Sequence, residues 1–152
     1  QFFKTTFANY ELIASENDRV FEYENRIYRS FMTDQLLLKQ LMTILFDNAI
    51  KYTEEDGKIE FVVHATDRHL YLSVTDNGIG ISAADKKKIF DRFYRVDKAR
   101  TRQKGGFGLG LSLAKQIVDA LRGTITVKDN KPRGTIFEVK IAIQSPSKRK
   151  NK

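Results

Sequence analysis

The sequence predicts an α+β domain, a two-layer α/β sandwich in which helices cover one face of a mixed, mostly antiparallel sheet. Two stretches, 59–76 and 124–143, each contain a pair of segments with the alternating apolar pattern of β-hairpins. Three other stretches repeat apolar residues at helical spacing. The length of 152 residues suits one domain with a substantial core, which we place at residues 1–144.

The first half of the chain is predicted to contain two helices separated by short β-like runs. The first helix ends near 15–18, the runs follow at 19–24 and 26–31, and Thr33 or Asp34 can cap a second helix that extends to about Tyr52. Turns at 54–57 and 67–68 then precede two strands. The apolar faces of the two helices consist of Phe3, Phe7, Tyr10, Ala14, Leu37, Leu41, Ile44 and Leu45.

The second half begins after the strand that ends at Asp76. A turn follows, and Ser82 can cap a short helix that reaches about Phe90. Residues 93–110 show no apolar periodicity and are predicted to be a long loop, which in compact domains is usually functional or disordered. Another helix covers 111–121, Gly123 ends it, and strands at 124–129 and 135–143 complete the sheet.

The composition excludes several classes of protein. Because the chain has no cysteine, it forms neither a disulfide framework nor a thiolate metal site, and its two histidines lack metal-ligand spacing. No apolar run approaches the roughly 18 residues of a membrane span, and no targeting pattern is present. A first residue other than methionine indicates a piece of a longer protein.

The formal net charge of +8 is concentrated in two places. Residues 86–104 carry nine basic side chains against two acidic ones, and residues 145–152, a predicted flexible tail, carry four basic ones. The other residues hold 14 basic and 17 acidic side chains, so the body of the domain is close to neutral. This distribution disfavours a nucleic-acid-binding surface over the whole protein. The basic segment can flank a polyphosphate or form a solvated loop.

Polar residues occupy several positions that the local periodicity assigns to the core. Asp76 continues the inward register of its strand, so its carboxylate either caps the following turn or accepts a hydrogen bond from a ligand's amino group. Asn48, Lys51 and Tyr52 continue the apolar stripe of the second helix. The amide suits a metal or phosphate and the lysine can reach phosphate, although each residue also fits an ordinary helix end.

Two further features favour an anion site. The glycine-rich segment 105–111 lies directly before a predicted helix, where unpaired N–H groups and the helix dipole favour phosphate. It matches neither the P-loop nor the dinucleotide-binding fingerprint. Thr135 shares the inward register of its strand, so its hydroxyl can face the same cavity.

Together these features resemble the catalytic ATP-binding domain of bacterial sensor histidine kinases, in the superfamily that includes DNA gyrase and the mismatch-repair ATPases. The resemblance extends over about 34–143. Its motifs are 45–53 (LFDNAIKYT), 76–80 (DNGIG), 90–95 (FDRFYR) and 106–111 (GFGLGL). It implies a Bergerat-type sandwich, which agrees with the predicted fold class, and makes residues 93–110 a long ATP lid.

The resemblance implies roles for individual residues. Asn48 would ligate the Mg²⁺ that bridges the phosphates of ATP, Lys51 would contact phosphate, and Asp76 would accept from the adenine amino group. Arg92 or Arg95 would lie near the γ-phosphate or the partner domain, which completes a catalytic set with Asn48 and Lys51. The implied nucleotide-binding residues are Asn48, Lys51, Tyr52, Asp76, Gly78, Gly80, Ile81, Gly106, Gly108, Leu109, Gly110, Leu111 and Thr135.

Two positions depart from the family pattern. Ile44 stands where the family often has asparagine, and where hydrolytic members of the superfamily have a glutamate that acts as general base. Net ATP hydrolysis by this domain alone is therefore not expected. Phe107 replaces a threonine or serine in the glycine loop. His64 and His69 fall on strands, outside the context of a phosphoacceptor, so structural roles are expected for both.

The function implied is to bind Mg-ATP and transfer its γ-phosphate to a histidine on a separate dimerisation domain of the same parent protein, in a two-component system with a response regulator. The fragment is expected to be monomeric and cytoplasmic, its parent to be dimeric and membrane-anchored, and nucleic acid is not an expected partner. Two alternatives stay open: a nucleotide-binding or interaction module without phosphotransfer, and nucleic-acid binding through the basic segment.

Overall fold

The computed structural model describes residues 1–92 and 110–144. Within these ranges, four helices and five strands follow one another along the chain. They are α1 (Phe2–Glu16), β1 (Val20–Arg26), α2 (Gln35–Tyr52), β2 (Lys58–Ala65), β3 (His69–Asp76), α3 (Ala83–Lys86), α4 (Gly110–Ala120), β4 (Thr124–Asp129) and β5 (Thr135–Ala142).

The five strands form one mixed sheet in the order β1-β2-β3-β5-β4. β1 pairs with β2 in parallel, and the other neighbouring strands are antiparallel. The two hairpins predicted from the sequence correspond to β2–β3 and β4–β5. β3 is the central strand, so both of its neighbours satisfy its backbone hydrogen bonds. The predicted class, an α+β sandwich with a mostly antiparallel sheet, is confirmed.

The helices pack on one face of this sheet and form the core with it. Phe61 on β2 is fully buried, and its ring lies 5.6 to 6.2 Å, between centroids, from rings on α1, β1 and α2. The rings of Tyr10 on α1 and Phe46 on α2 stack at 4.3 Å and 5°. Burial raises the pKa of Tyr10 to about 12. This aromatic packing sets the position of α2 against the sheet.

The opposite face of the sheet carries polar and charged side chains. The ring of His64 on β2 stacks on Tyr71 of β3 at 4.7 Å and 9°, and the ammonium group of Lys140 lies 5.9 Å from the centroid of the Tyr71 ring. His69 begins β3, at the end of that strand away from Asp76. Both histidines are thus parts of the sheet, as the sequence predicts.

The helix caps follow the sequence, whereas two predicted elements are shorter than expected. Asp34, rather than Thr33, caps α2 by accepting from the N–H of Leu37 at 3.0 Å. The run at 26–31 was expected to be a strand. This prediction is wrong, because β2 ends at Ala65, one residue beyond the partner of Arg26, and leaves the chain after Arg26 without a strand to pair with. The Asn25 side chain accepts from the N–H of Ile27 at 3.0 Å at this point.

The helix predicted from Ser82 to about Phe90 is also shorter. Ser82 caps it by accepting from the N–H of Asp85 at 3.2 Å, but α3 ends at Lys86. Beyond that point Lys88 and Asp91 donate to the carbonyl three residues back, so tighter turns replace the helix. Residues 93–109 of the predicted lid and the predicted tail at 145–152 lie outside the described residues.

Replacement of Phe61 by alanine is expected to lower the free energy of unfolding by about 3–5 kcal/mol, because it leaves a cavity among four aromatic rings. Urea denaturation measures this loss. Tyr28→Ala is the control, since that side chain is 89% exposed and its removal should change stability by less than about 0.5 kcal/mol. Equal effects of the two substitutions would contradict the described core.

Candidate functional site

Three elements meet beside the end of the central strand. Asp76 is the last residue of β3, and it pairs with Thr135, the first residue of β5. The last residue of α2, Tyr52, accepts a hydrogen bond at its carbonyl from the backbone N–H of Ile79, at 3.0 Å. The end of α2, the turn after β3 and the start of β5 therefore surround one site.

One face of α2 connects this site to the start of α4. Ile44, Asn48 and Tyr52 are spaced four residues apart, so they lie on the same face over about 12 Å of helix. At one end, Cγ2 of Ile44 lies 3.7 Å from where a Cβ on Gly110 would be. The half-buried amide of Asn48 lies between the two ends. The face therefore extends from the beginning of α4 to the turn after β3.

Asp76 is a buried carboxylate, with an exposed fraction of 3%. Its Oδ1 accepts a hydrogen bond from the N–H of Gly78 at 2.9 Å. Burial raises the pKa of Asp76, and the backbone N–H groups of Gly78 and Thr135 lower it in part. The carboxylate therefore caps its turn, as one reading of the sequence predicts, and its two oxygens keep acceptor capacity for a ligand.

The backbone around Asp76 is packed too closely for side chains. A Cβ on Gly78 would lie 2.0 Å from the carbonyl oxygen of Tyr52, and one on Gly134 would lie 1.9 Å from that of Asp76. Asn130 donates from Nδ2 to the same Asp76 carbonyl at 3.0 Å. The strand end is thus held between α2 and the β4–β5 turn. Gly134 and Asn130 are site residues that the sequence does not single out, because each fits an ordinary hairpin turn.

The remaining predicted residues are distributed around this centre. Thr135 is buried, with an exposed fraction of 4%, as its inward register predicts. Gly80 has a φ of +78° and faces Gly134, since a Cβ there would lie 3.6 Å from the Gly134 carbonyl oxygen. Ile81 and Leu111 are half-buried and pack against the core.

The charged residues of the predicted catalytic set are less enclosed. Lys51 is half-buried on the last turn of α2. Burial raises the pKa of Asp47, one turn earlier, and the charge of Lys51 lowers it in part. Arg92 is exposed at the end of the first described range. Four predicted residues lie outside the described ranges: Arg95, Gly106, Gly108 and Leu109.

The donor set is compatible with Mg²⁺ held largely by phosphate. Within residues 1–92 and 110–144, no group of three or more histidine, aspartate or glutamate side chains could hold a metal ion. Mg²⁺ usually keeps several waters and binds through one or two protein oxygens together with substrate phosphates. The half-buried Asn48 amide can supply such an oxygen. The described residues therefore fit a magnesium site in which phosphate oxygens supply most of the ligands.

This fold defines a sandwich domain with a candidate ligand site between its helical layer and one end of its sheet. The chain belongs to the family described as histidine kinase-, DNA gyrase B- and HSP90-like ATPases, whose profile matches residues 33–145. The resemblance inferred from the motifs is confirmed by this match.

Two named relatives align with this chain over different shares of its length and of their own. The chain is 83% identical over 149 residues to the sensor protein CiaH of Streptococcus pneumoniae, which covers 98% of this chain and 34% of that protein. It is 45% identical over 101 residues to the signal transduction histidine-protein kinase ArlS of Staphylococcus aureus, covering 66% and 22%. The chain thus spans about a third or less of these curated relatives.

A solved structure of histidine kinase ThkA in complex with the response regulator protein TrrA superposes with a TM-score of 0.74 at 26% identity, covering 97% of this chain and 41% of that one. Among the helices of the described ranges, none combines the length and apolar character needed to cross a membrane. The coverage of these matches limits the similarity to the sandwich domain, which is only part of each longer relative.

The substitution Asp76→Asn is expected to change how the stability of the domain depends on pH. Since burial raises the pKa of Asp76 above its ordinary 3.8, the folded protein binds the proton more tightly than the unfolded chain. The contribution of this group to stability therefore decreases as the pH rises from 3.8 through the folded pKa. An asparagine side chain carries no charge at this position, and its Oδ1 can still accept the hydrogen bond from the N–H of Gly78.

We expect the stability of D76N relative to wild type to be most favourable at neutral pH and to decline as the pH falls through that window. Thermal unfolding at a series of pH values measures the difference. Glu11→Gln, the same acid-to-amide change on an exposed residue of α1, is the control. A difference between D76N and wild type that stays constant with pH would contradict the raised pKa.

Proposed function

We propose that this domain binds Mg-ATP and presents the γ-phosphate to a histidine on a separate dimerisation domain of the longer protein. The observation that carries the proposal is the position of Asp76. Its buried carboxylate lies at one end of the Ile44–Tyr52 face of α2 and the beginning of α4 lies at the other. This spacing suits an extended nucleotide with its base at one end and its phosphates at the other.

The base would bind at the end of β3. Asp76 would accept a hydrogen bond from the exocyclic amino group of adenine, and the buried Thr135 beside it would offer its hydroxyl. Gly78 and Gly80 carry no side chains that would block the base, and the half-buried Ile81 would offer apolar contact. A base without this amino group would bind more weakly, because it would leave the buried Asp76 carboxylate without a hydrogen-bond donor from the ligand.

The phosphates would bind along α2 from Lys51 toward Asn48 and at the N-terminus of α4. Asn48 would hold Mg²⁺, Lys51 would contact phosphate, and Tyr52 would contact the nucleotide. The first N–H groups of α4, at Gly110 and Leu111, would face anionic oxygens. Gly106, Gly108 and Leu109 would belong to the lid. When bound, Mg²⁺ neutralises phosphate charge and fixes phosphate orientation.

The transfer step forms a bond between a histidine nitrogen and the γ-phosphorus while the bond to the bridging oxygen breaks and ADP leaves. Such reactions depend mainly on positioning and charge stabilisation. Lys51, together with Arg92 or Arg95, would stabilise the negative charge at the phosphoryl group. Ile44 cannot accept a proton, so no side chain at that position activates water for hydrolysis.

The proposed setting is a two-component system. The curated relatives are named as a sensor protein and a signal transduction histidine-protein kinase, and the ThkA structure contains a response regulator. These names support a response regulator as the downstream partner of the longer protein. We place this domain in the cytoplasm, as a monomer when isolated, within a parent that is dimeric and membrane-anchored.

The test combines this domain with the separately prepared dimerisation domain of its parent and radiolabelled Mg-ATP. We expect acid-labile phosphate on a histidine of the added domain, and a decrease of about 100-fold or more with Asn48→Ala. Asn25→Ala makes the same chemical change on an exposed residue of β1 and should leave labelling unchanged.

The other outcomes distinguish the alternatives. Tight Mg-ATP binding without labelling would contradict phosphotransfer and identify a nucleotide-binding module. Absence of Mg-ATP binding, with a salt-dependent affinity for DNA that ATP does not reduce, would contradict the whole proposal and favour the basic segment as a nucleic-acid site.

A further inference from the structure

Arg19, in the loop between α1 and β1, lies outside the proposed nucleotide-binding set but makes contacts at the end of α2. Its Nε donates to Oγ1 of Thr53 at 3.2 Å, and its Nη2 donates to the carbonyls of Thr53 at 2.5 Å and Ile50 at 3.3 Å. Its Nη1 donates to the carbonyl of Asn17 at 2.6 Å, within its own loop. One guanidinium therefore joins the α1–β1 loop to the helix end.

These contacts satisfy groups that a helix leaves unpaired. The last carbonyls of an α-helix have no partner within the helix and carry partial negative charge, so a nearby cation stabilises them. Thr53 is fully buried, and both its N–H and its Oγ1 donate to the Ala49 carbonyl, at 3.1 and 2.9 Å. Arg19 supplies donors to the carbonyls of Ile50 and Thr53.

The helix end is consequently held from two sides. Arg19 contacts it at Ile50 and Thr53, whereas Ile79, in the turn after β3, donates to the Tyr52 carbonyl at 3.0 Å. The planar, forked guanidinium can contact several oxygens at once, which the single ammonium of a lysine does less well.

We propose that Arg19 is a positioning residue, which holds the last turn of α2 in the orientation that binds the phosphates and Mg²⁺ of ATP. This inference rests on the proposed function, in which that turn carries Lys51 and follows directly on Asn48. The backbone of the adenine acceptor Asp76 is also held from the β4–β5 turn, on the side away from α2, by Asn130 and by the close approach of Gly134. Loss of Arg19 should therefore weaken binding of the phosphates more than binding of the base.

The experiment compares wild type, R19Q and R19K in the complete chain. Calorimetry gives the Kd of each for Mg-ATP and for adenosine, at a temperature far below its thermal midpoint. We expect R19Q to weaken Mg-ATP binding about 10- to 100-fold, the range typical of residues that orient metal ligands, and adenosine binding less than about twofold. R19K should be intermediate.

Arg26→Gln is the matched control, because Arg26 is an exposed residue of β1 whose ion pair with Glu24 is remote from α2. It should bind both ligands like wild type. A role in stability alone would lower the thermal midpoint of R19Q without changing its ratio of ATP to adenosine affinity. If R19Q does not fold, the Mg-ATP and adenosine affinities of R19K, compared with those of wild type, test the positioning role instead.

The possible failures are distinguishable. If the wild type does not bind Mg-ATP, the proposed function is wrong. If the wild type binds and both Arg19 variants bind Mg-ATP equally well, or lose affinity for adenosine to the same extent, the positioning role is wrong.

Discussion

The burial of the Asp76 carboxylate is the constraint on which the rest of the site depends. A charged group removed from water is costly unless other groups stabilise it. Here the N–H groups of Gly78 and Thr135 do so in part, yet the pKa of Asp76 remains raised. A ligand that donates another hydrogen bond would stabilise the ionised form further. The close backbone packing at Gly78 and Gly134 keeps this carboxylate in place.

The aromatic core and the ligand site are linked through α2. Stacking of Phe46 on Tyr10 and contact of Phe46 with Phe61 place this helix against the sheet. Asn48 lies on another side of the same helix, where it is half-buried. This helix reaches both the start of α4 and the turn after β3, but Asp76 is also held from the β4–β5 turn by Asn130 and Gly134. A change confined to the end of α2 is therefore expected to affect Asn48 and Lys51 more than Asp76. Under the proposed function, α2 therefore contributes both to the stability of the core and to the affinity for the ligand.

Local periodicity predicts much of this molecule. Alternation along β3 and β5 correctly predicts the burial of Asp76 and Thr135, since neighbouring side chains on a strand point to opposite faces. Contacts between distant residues are not predicted: Arg19 reaches Thr53, and Asn130 reaches Asp76, across 34 and 54 positions of sequence. In the sequence Arg19 only begins a β-like run and Asn130 only follows a strand. The strand expected at 26–31 does not form, because its partner β2 ends at Ala65, one residue beyond the partner of Arg26.

The most direct test of the account is an NMR titration of the Asp76 side-chain carboxyl, with and without adenosine. We expect a pKa above the ordinary 3.8 in the free domain and a fall in that pKa when adenosine binds, because a donated hydrogen bond favours the ionised form. A pKa that is ordinary in the free domain, or that does not fall on binding, would contradict the assignment of Asp76 as the adenine acceptor.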